Sequence, residues 1–178
     1  MSVVYLGLGS NMGDRVRHLR RTIYWLNAIE GGAVDAVSAV YETPPSGGPS
    51  GQGLFLNAAV RMVASLSPSG LLHQLQAIER KLGRLPETQR PKWAPRPMDL
   101  DMLLYDDRVI REPHLVVPHP LMTDRWFVLQ PMCDIAADVV HPENRRTMAE
   151  LLKSLNGSGY DRGRAVDVDL TTCLNPRN

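Results

Sequence analysis

In residues Gly83–Tyr105, GRLPETQRPKWAPRPMDLDMLLY, a proline-rich loop leads into a short apolar run. Side chains alternate between the two faces of a β-strand, so this run predicts a strand with one buried face. On that buried face we expect Leu100, Met102 and Leu104. Asp99 and Asp101 then project together from the other face. Because neighbouring carboxylates repel each other, the pair favours a hard cation such as Mg²⁺.

The loop ahead of this predicted strand is locally basic. Its one acidic residue, Glu87, is outnumbered by Arg84, Arg90, Lys92 and Arg96. Cationic side chains beside a metal site are typical of phosphoryl transfer, in which catalysis consists mainly of positioning and charge neutralisation. An isolated D-x-D pair also fits an ordinary solvated strand face, and from the residues alone that alternative stays open.

Composition narrows the classes of protein to consider. The chain has 178 residues and a net charge of +1, which fits one domain and argues against a generally basic nucleic-acid binder. No apolar run approaches the roughly 18 residues that a membrane-spanning helix needs. The two cysteines are isolated, and the N-terminus is typical of a strand, not of a signal peptide. We therefore expect a cytoplasmic protein with neither nucleic acid nor membrane as a partner.

Apolar periodicity predicts a β-α-β-β-α-β order. The predicted elements are strands at Ser2–Leu8, Val34–Thr43, Phe55–Ala64 and Asp99–Tyr105, and helices at about Val16–Ile29 and Pro68–Leu82. This order is typical of an α+β, ferredoxin-like fold, in which two helices cover one face of an antiparallel sheet.

The remaining segments complete the expected outline. The run GLGSNMG at 7–13 departs by one residue from a dinucleotide-binding fingerprint, so it predicts a tight turn into a helix capped by Ser10 or Asn11. A ligand can still approach the bare backbone of its glycines. A Pro- and Gly-rich loop at 44–53 is expected to be a linker or lid. From Pro113 the pattern predicts a C-terminal helical extension. We expect one domain over 1–156 and a weakly patterned tail over 157–178, in which a second D-x-D lies in a peripheral strand or loose segment.

From about Val3 to Leu155 the chain resembles the 6-hydroxymethyl-7,8-dihydropterin pyrophosphokinases, enzymes of folate synthesis. Seven pieces in the same order carry this resemblance. They are GLGSN at 7–11, YETPP at 41–45, FLNAAV at 55–60, QAIE at 76–79, GR at 83–84, Trp93 with PR at 95–96 and DLD at 99–101, and PH at 118–119 with Arg125 and Phe127. The resemblance implies transfer of pyrophosphate from ATP to the hydroxymethyl group of a reduced pterin, with release of AMP and with two Mg²⁺ ions.

The resemblance also implies roles for individual residues. Both metal ions would be bound by Asp99 and Asp101. Loops that close over the phosphates would carry Arg84 and Arg96. The pterin site would be formed by Thr43, Pro45, Phe55, Asn57, Trp93 and Phe127. ATP would be contacted by Gln76, Glu79, Trp93, His119 and Arg125. We expect the enzyme to be a monomer.

Two other functions are weighed against this one. A Mg²⁺-dependent nucleotide hydrolase could use the same aspartate pair, but it would give Asn57 and Trp93 no task. A non-catalytic ferredoxin-like binding module for RNA or a small effector is the second alternative. Its aromatic residues should lie on the central strands, where this sequence instead carries Asp99, Asp101 and Asn57.

Overall fold

The molecule is built around one antiparallel sheet, which the computed structural model describes together with its helices for residues 1–89, 91, 93–156 and 163–174. The strands are β1 (Ser2–Ser10), β2 (Gly32–Val37), β3 (Val40–Thr43), β4 (Phe55–Ala64), β5 (Asp99–Tyr105), β6 (Ile110–Glu112), β7 (Leu115–Val117) and β8 (Arg164–Val166). The helices are α1 (Arg15–Asn27), α2 (Pro68–Lys81), α3 (Trp126–Ala136) and α4 (Met148–Asn156). Arg90 and Lys92 of the basic loop lie outside the described residues.

The order of the strands in the main sheet is β5-β1-β4-β3-β8, and β2 also pairs with β4. Each pairing of β1 and β4 with its neighbours is antiparallel. This confirms the predicted ferredoxin-like βαββαβ arrangement. A second, two-stranded sheet formed by β6 and β7 was not predicted as a pair, because its three-residue strands are too short to show a period.

The predicted strand Val34–Thr43 is divided into β2 and β3 at Ser38. The Ser38 hydroxyl accepts a hydrogen bond from the backbone N–H of Ala59 at 2.8 Å and donates one to the Ala39 carbonyl at 2.6 Å. A side chain thus occupies a place in the ladder that a backbone carbonyl would normally take. Serine hydroxyls compete with backbone groups in this way, which alternation alone does not reveal.

Two apolar cores lie on opposite faces of the sheet. Alternate residues of β1, β4 and β5 pack under α1 and α2. The other face packs against α3 and α4 of the C-terminal extension. The predictions of two helices on one face and of a C-terminal helical extension are thus confirmed. α3 and α4 leave one end of the second face uncovered. No described helix is long and apolar enough to cross a membrane.

Two local predictions were wrong. Leu104 does not share the core of Leu100 and Met102, because the β1–β5 register slips between Tyr5 and Leu6 and moves Leu104 into the second core. The cap of α1 is Asp14, whose carboxylate accepts a hydrogen bond from the Arg17 N–H at 3.0 Å, and not Ser10 or Asn11. The bulge causes the first difference. The second arises because β1 ends at Ser10, two residues later than predicted.

The described part of the tail, 163–174, is packed against the domain. β8 pairs with β3, and Leu170 is only 1% exposed within the first core. The carbonyl of Cys173 accepts a hydrogen bond from the Asn27 side chain at 3.3 Å. Residues 157–162 and 175–178 of the tail lie outside the described residues, and the proposed boundary at 156 remains a prediction.

Replacing Leu170 tests whether this segment contributes to stability. We expect Leu170→Ala to lower the free energy of unfolding by about 2–4 kcal/mol, because it opens a cavity in the core. Asp167→Ala, at an exposed position of the same segment, should change it by less than about 0.5 kcal/mol. Urea unfolding of both variants measures the difference, and equal midpoints would contradict the packing of the tail.

Candidate active site

The floor of the site consists of two rows of residues that cross three adjacent strands, β4, β1 and β5, of which β5 stands at the end of the strand order. One row pairs Asn57 of β4 with Gly9 of β1, and Gly9 in turn with Asp99 of β5. The next row in the same direction joins Ala59, Gly7 and Asp101. Because residues two apart in a strand share a face, both rows lie on the uncovered end of the second face.

The glycines of these rows create the groove. With no side chain at the centre of either row, the backbone of β1 is open to a ligand between the carboxylates on one side and the amide on the other. The groove and the open solvent at its mouth together enclose about 670 Å³ of empty space. It is lined by the predicted site residues Thr43, Phe55, Asn57, Trp93, Arg96, Asp99, Asp101, Arg125 and Phe127. The turn predicted over 7–13 was wrong for Gly7 and Gly9, which lie within β1. The expectation that a ligand can approach their bare backbone agrees with the lining of the groove, which includes both glycines.

Asp99 is held by two guanidinium groups. Arg84 Nη1 lies 2.5 Å from one carboxylate oxygen, and Arg96 Nη2 lies 2.5 Å from the other. All three side chains are at most 17% exposed. Arg84 also pairs with Glu79, which accepts a hydrogen bond from the Leu100 N–H at 2.8 Å. Burial raises the pKa of Glu79, while the charge of Arg84 opposes that shift.

Asp101 is the second carboxyl group of the pair. Burial raises its pKa to about 7, the negative charge of Asp99 adds to the shift, and Arg125 opposes it. The carboxyl group of Asp101 is therefore only partly ionised at neutral pH, mainly because burial disfavours its charged form.

The donor set fits a hard cation that is completed by other ligands. Asp99 and Asp101 share a face, and a cation between them would relieve the repulsion that raises the pKa of Asp101. Among the described residues, no cluster of three or more His, Cys, Asp or Glu is suited to a metal ion. A magnesium site here would need oxygen ligands from substrate and water, which is the usual mode for this metal.

The opposite wall of the groove presents an amide. Asn57 Nδ2 donates to the Thr43 hydroxyl at 2.8 Å, and both residues are buried. This bond fixes the amide so that its oxygen lies beside Gly9, where a Cβ would stand 3.4 Å from it. The wall thus offers an oriented polar group next to open backbone, which suits a flat ligand with donors and acceptors.

Aromatic side chains border the groove. Trp93 is 49% exposed and has a left-handed backbone conformation with a φ of 58°. Phe127, at the start of α3, lies under the guanidinium of Arg125 with 5.6 Å between that group and the ring centroid. Arg96 is similarly placed over Phe55 at 5.5 Å.

Several predicted residues stand outside the groove lining. They are Pro45, Gln76, Glu79, Arg84 and His119. Arg84 and Glu79 are linked to the groove through Asp99. The backbone N–H of His119 donates to the Leu103 carbonyl at 3.0 Å, which ties it to β5. Burial, aided by Arg125, lowers the pKa of His119 to about 4, so its ring is neutral at neutral pH.

Asn11 is a further residue of the site that the prediction missed. Its side-chain oxygen accepts a hydrogen bond from the Arg96 N–H at 2.8 Å, and its Nδ2 donates to Gln52 Oε1 at 3.2 Å. It therefore joins the 44–53 loop to the basic loop. Nothing in the local pattern distinguishes this task from helix capping, for which asparagine is equally suited.

The chain is similar to proteins of known function over most of its length. Residues 5–137 match the model of the 7,8-dihydro-6-hydroxymethylpterin-pyrophosphokinase family. The 2-amino-4-hydroxy-6-hydroxymethyldihydropteridine pyrophosphokinase of Aquifex aeolicus is 41% identical over 150 residues, which cover 84% of this chain and 90% of the relative. The enzyme of the same name from Methylorubrum extorquens is 42% identical over 162 residues, or 91% of this chain and 99% of the relative.

Solved structures share the fold. A crystal structure of HPPK-DHPS in complex with substrates superposes with a TM-score of 0.70 at 14% identity, covering 88% of this chain and 44% of that one. Plasmodium falciparum HPPK-DHPS with pteroate gives a TM-score of 0.67 at 16% identity, covering 86% and 42%. The chain thus spans less than half the length of these structures.

The two aspartates should respond to neutralisation with opposite signs in the metal-free protein. At pH 8, Asp101→Asn removes an unfavourable charge. It should increase the free energy of unfolding by on the order of 1–2 kcal/mol and thus raise the melting temperature by a few degrees. Asp99→Asn leaves Arg84 and Arg96 without their carboxylate and should lower stability by about 1–3 kcal/mol.

The pH dependence gives an independent check. The folded-state pKa of Asp101 is about 7, against an ordinary 3.8. As the pH rises from about 4 to 7, the unfolded chain loses this proton while the folded protein keeps it, so the free energy of unfolding falls. The advantage of Asp101→Asn should therefore be full at pH 8 and nearly absent at pH 4. Melting temperatures that fall equally for both variants at pH 8 would contradict this charge distribution.

Proposed function

The chain belongs to the 7,8-dihydro-6-hydroxymethylpterin-pyrophosphokinase family, and on that premise we propose which of its residues carry the reaction. It is an ATP-dependent pyrophosphokinase of folate biosynthesis that transfers pyrophosphate to the hydroxymethyl group of 6-hydroxymethyl-7,8-dihydropterin. The hydroxymethyl oxygen forms a bond to the β-phosphorus of ATP, the bond between the α- and β-phosphates breaks, and AMP leaves. The observation that best supports the residue assignment is the row Asn57–Gly9–Asp99, which sets an amide and a carboxylate on either side of open backbone.

The pterin would lie on the glycine floor beside Asn57. The amide held by Thr43 can read the donor and acceptor edge of the ring, since a buried amide discriminates by leaving wrong partners unpaired. Trp93 and Phe127 would stack on the two faces of the ring, and Phe55 with Pro45 would complete the pocket. The pterin site is thus proposed for the β3–β4 side of the groove.

Magnesium would be held by Asp99 and Asp101, and we assign two ions to the site. When bound, such ions neutralise charge that develops on the phosphates. Arg84 and Arg96 now neutralise Asp99. With a cation on Asp99, the same two guanidinium groups would be able to turn to phosphate oxygens, which they can contact with two parallel donors. Arg84 and Arg96 would therefore contact Asp99 before the nucleotide binds and its phosphates afterwards.

The nucleotide side of the groove is proposed to include Arg125, His119, Gln76, Glu79 and Trp93. His119 Nδ1 accepts a hydrogen bond from the Leu121 N–H at 3.2 Å, so its Nε2 carries the ring proton and is a donor. A neutral ring with a fixed donor is suited to orient a nucleotide without adding charge. Arg125 would supply positive charge near Asp101, which its position already favours.

The chain is proposed to act as a monomer in the cytoplasm, without a nucleic-acid or membrane partner. Cys133 and Cys173 are free, which is compatible with a reducing compartment.

Product analysis tests the proposed reaction. The purified protein, incubated with ATP, Mg²⁺ and 6-hydroxymethyl-7,8-dihydropterin, should form AMP and pterin diphosphate in equal amounts, measured by ion-exchange chromatography. AMP should not accumulate when the pterin is omitted. Formation of ADP, or of AMP without the pterin, would instead indicate the nucleotide hydrolase considered above.

A matched pair of variants links this activity to the groove. Asp101→Asn should reduce turnover by about 10²-fold or more, because it removes a metal ligand beside the phosphates. Asp35→Asn makes the same chemical change in a surface pair with Arg61 and should leave turnover unchanged. Equal activity of the two variants would remove Asp101 from the proposed metal site.

A further inference from the structure

A segment beyond the family match lies directly beside the proposed pterin site. The family model ends at residue 137, whereas β8 begins at Arg164. β8 is antiparallel to β3, and its register pairs Arg164 with Glu42. β3 ends at Thr43, which lines the groove. The tail therefore forms the outer neighbour of the strand that supplies one wall of the site.

Glu42 joins this segment to the body of the domain. Its side chain is 9% exposed and lies between two arginines. Arg164 Nη2 contacts one carboxylate oxygen at 2.7 Å and its Nε donates to the same oxygen at 3.2 Å. Arg15 Nη1 contacts the other oxygen at 3.0 Å. The hydrogen bonds from Arg164 contribute most to a lowered pKa of Glu42.

Arg15 and Glu42 also contact both ends of the 44–53 loop. Arg15 Nη1 donates to the carbonyl of Leu54 at 2.8 Å, at the point where the loop enters β4. Glu42 immediately precedes Thr43, where the loop leaves β3. Across the ladder Thr43 is paired with Phe55. Glu42 is thus connected to both ends of a loop that lines the groove, directly at Thr43 and through Arg15 at Leu54.

The backbone of the tail also touches this wall. A Cβ placed on Gly163 would stand 2.3 Å from Thr43 Cγ2 and 2.4 Å from the Glu42 carbonyl oxygen. Only a glycine allows the chain to approach so closely. The contact is therefore specific to this position and rests on Thr43 itself.

We infer that Arg164, acting through Glu42 and Arg15, is a positioning residue for the pterin site. Although its side chain is 78% exposed, its partner is nearly buried, so the pairing fixes Glu42 more than it fixes the arginine. The inference rests on the proposed function, because it assigns the Thr43 wall to the pterin. In the sheet, β1 and β4 separate this wall from the aspartates of β5. The effect should accordingly be confined to the pterin and spare the nucleotide.

The test compares Arg164→Ala with the wild-type full-length protein. We expect its KM and Kd for 6-hydroxymethyl-7,8-dihydropterin to rise roughly 3- to 30-fold, the range in which residues one step from a site act. The KM for ATP and kcat should stay within about twofold of the wild-type values in the same assay. Pterin fluorescence gives the Kd, and Arg164→Lys, which keeps the charge, should restore part of the affinity.

Two further variants separate positioning from general stability. Arg61→Ala breaks a surface pair with Asp35 on neighbouring strands and should leave the pterin Kd unchanged. In a Glu42→Met background, which has already lost the shared carboxylate, Arg164→Ala should weaken pterin binding no further. Additive losses would overturn the relay through Glu42.

The outcomes distinguish this inference from the proposed function. Wild-type protein that forms no pterin diphosphate overturns the proposed function and the inference with it. Active wild-type protein with an unchanged pterin Kd in Arg164→Ala overturns the inference alone. Equal weakening of pterin and ATP binding, together with a lower melting temperature, also overturns it, since that pattern indicates a merely structural residue.

Discussion

The structure depends on one constraint, which is that paired residues of antiparallel strands stand side by side on the same face of the sheet. In the row Asn57–Gly9–Asp99 this constraint sets an amide and a carboxylate at the width of two strand spacings. The glycine between them leaves that width open. The two apolar cores hold the three strands in register, and the short span of α3 and α4 leaves this end of the face accessible. Packing thus determines the spacing of the chemical groups.

Charge in the groove is unevenly balanced, and this imbalance connects stability to function. Asp99 has two arginine partners, whereas Asp101 is a partly buried carboxyl group with a pKa near 7. Two neighbouring carboxylates that bind cations repel each other when no cation lies between them, at a cost in stability that the cores offset. The arginines that compensate Asp99 come from the loop flanking β5. The same side chains can therefore neutralise Asp99 and contact the phosphates of a bound nucleotide.

Much of this arrangement was predictable from the sequence, because it follows from periodicity. The strand Asp99–Tyr105 and the placement of its aspartates on one face were predicted from alternation, and β4 was predicted with its observed bounds. What escaped prediction depends on contacts distant in sequence. The division at Ser38 arises from a hydrogen bond to Ala59, and the bulge that redirects Leu104 arises from pairing with β1. Asn11 was interpreted as a cap because its partner, Arg96, is 85 residues away. The packing of Leu170 likewise has no local signal.

The position of divalent ions in crystals tests most directly whether Asp99 and Asp101 bind the metal. Protein crystallised with Mn²⁺, a non-hydrolysable ATP analogue and the pterin should show anomalous density between Asp99 and Asp101, with the flat ring on Gly9 beside the amide of Asn57. Manganese is a suitable substitute because it accepts the same oxygen ligands as magnesium. Anomalous density elsewhere in the molecule, with none between these two carboxylates, would contradict the central claim that the cross-strand rows form the catalytic site.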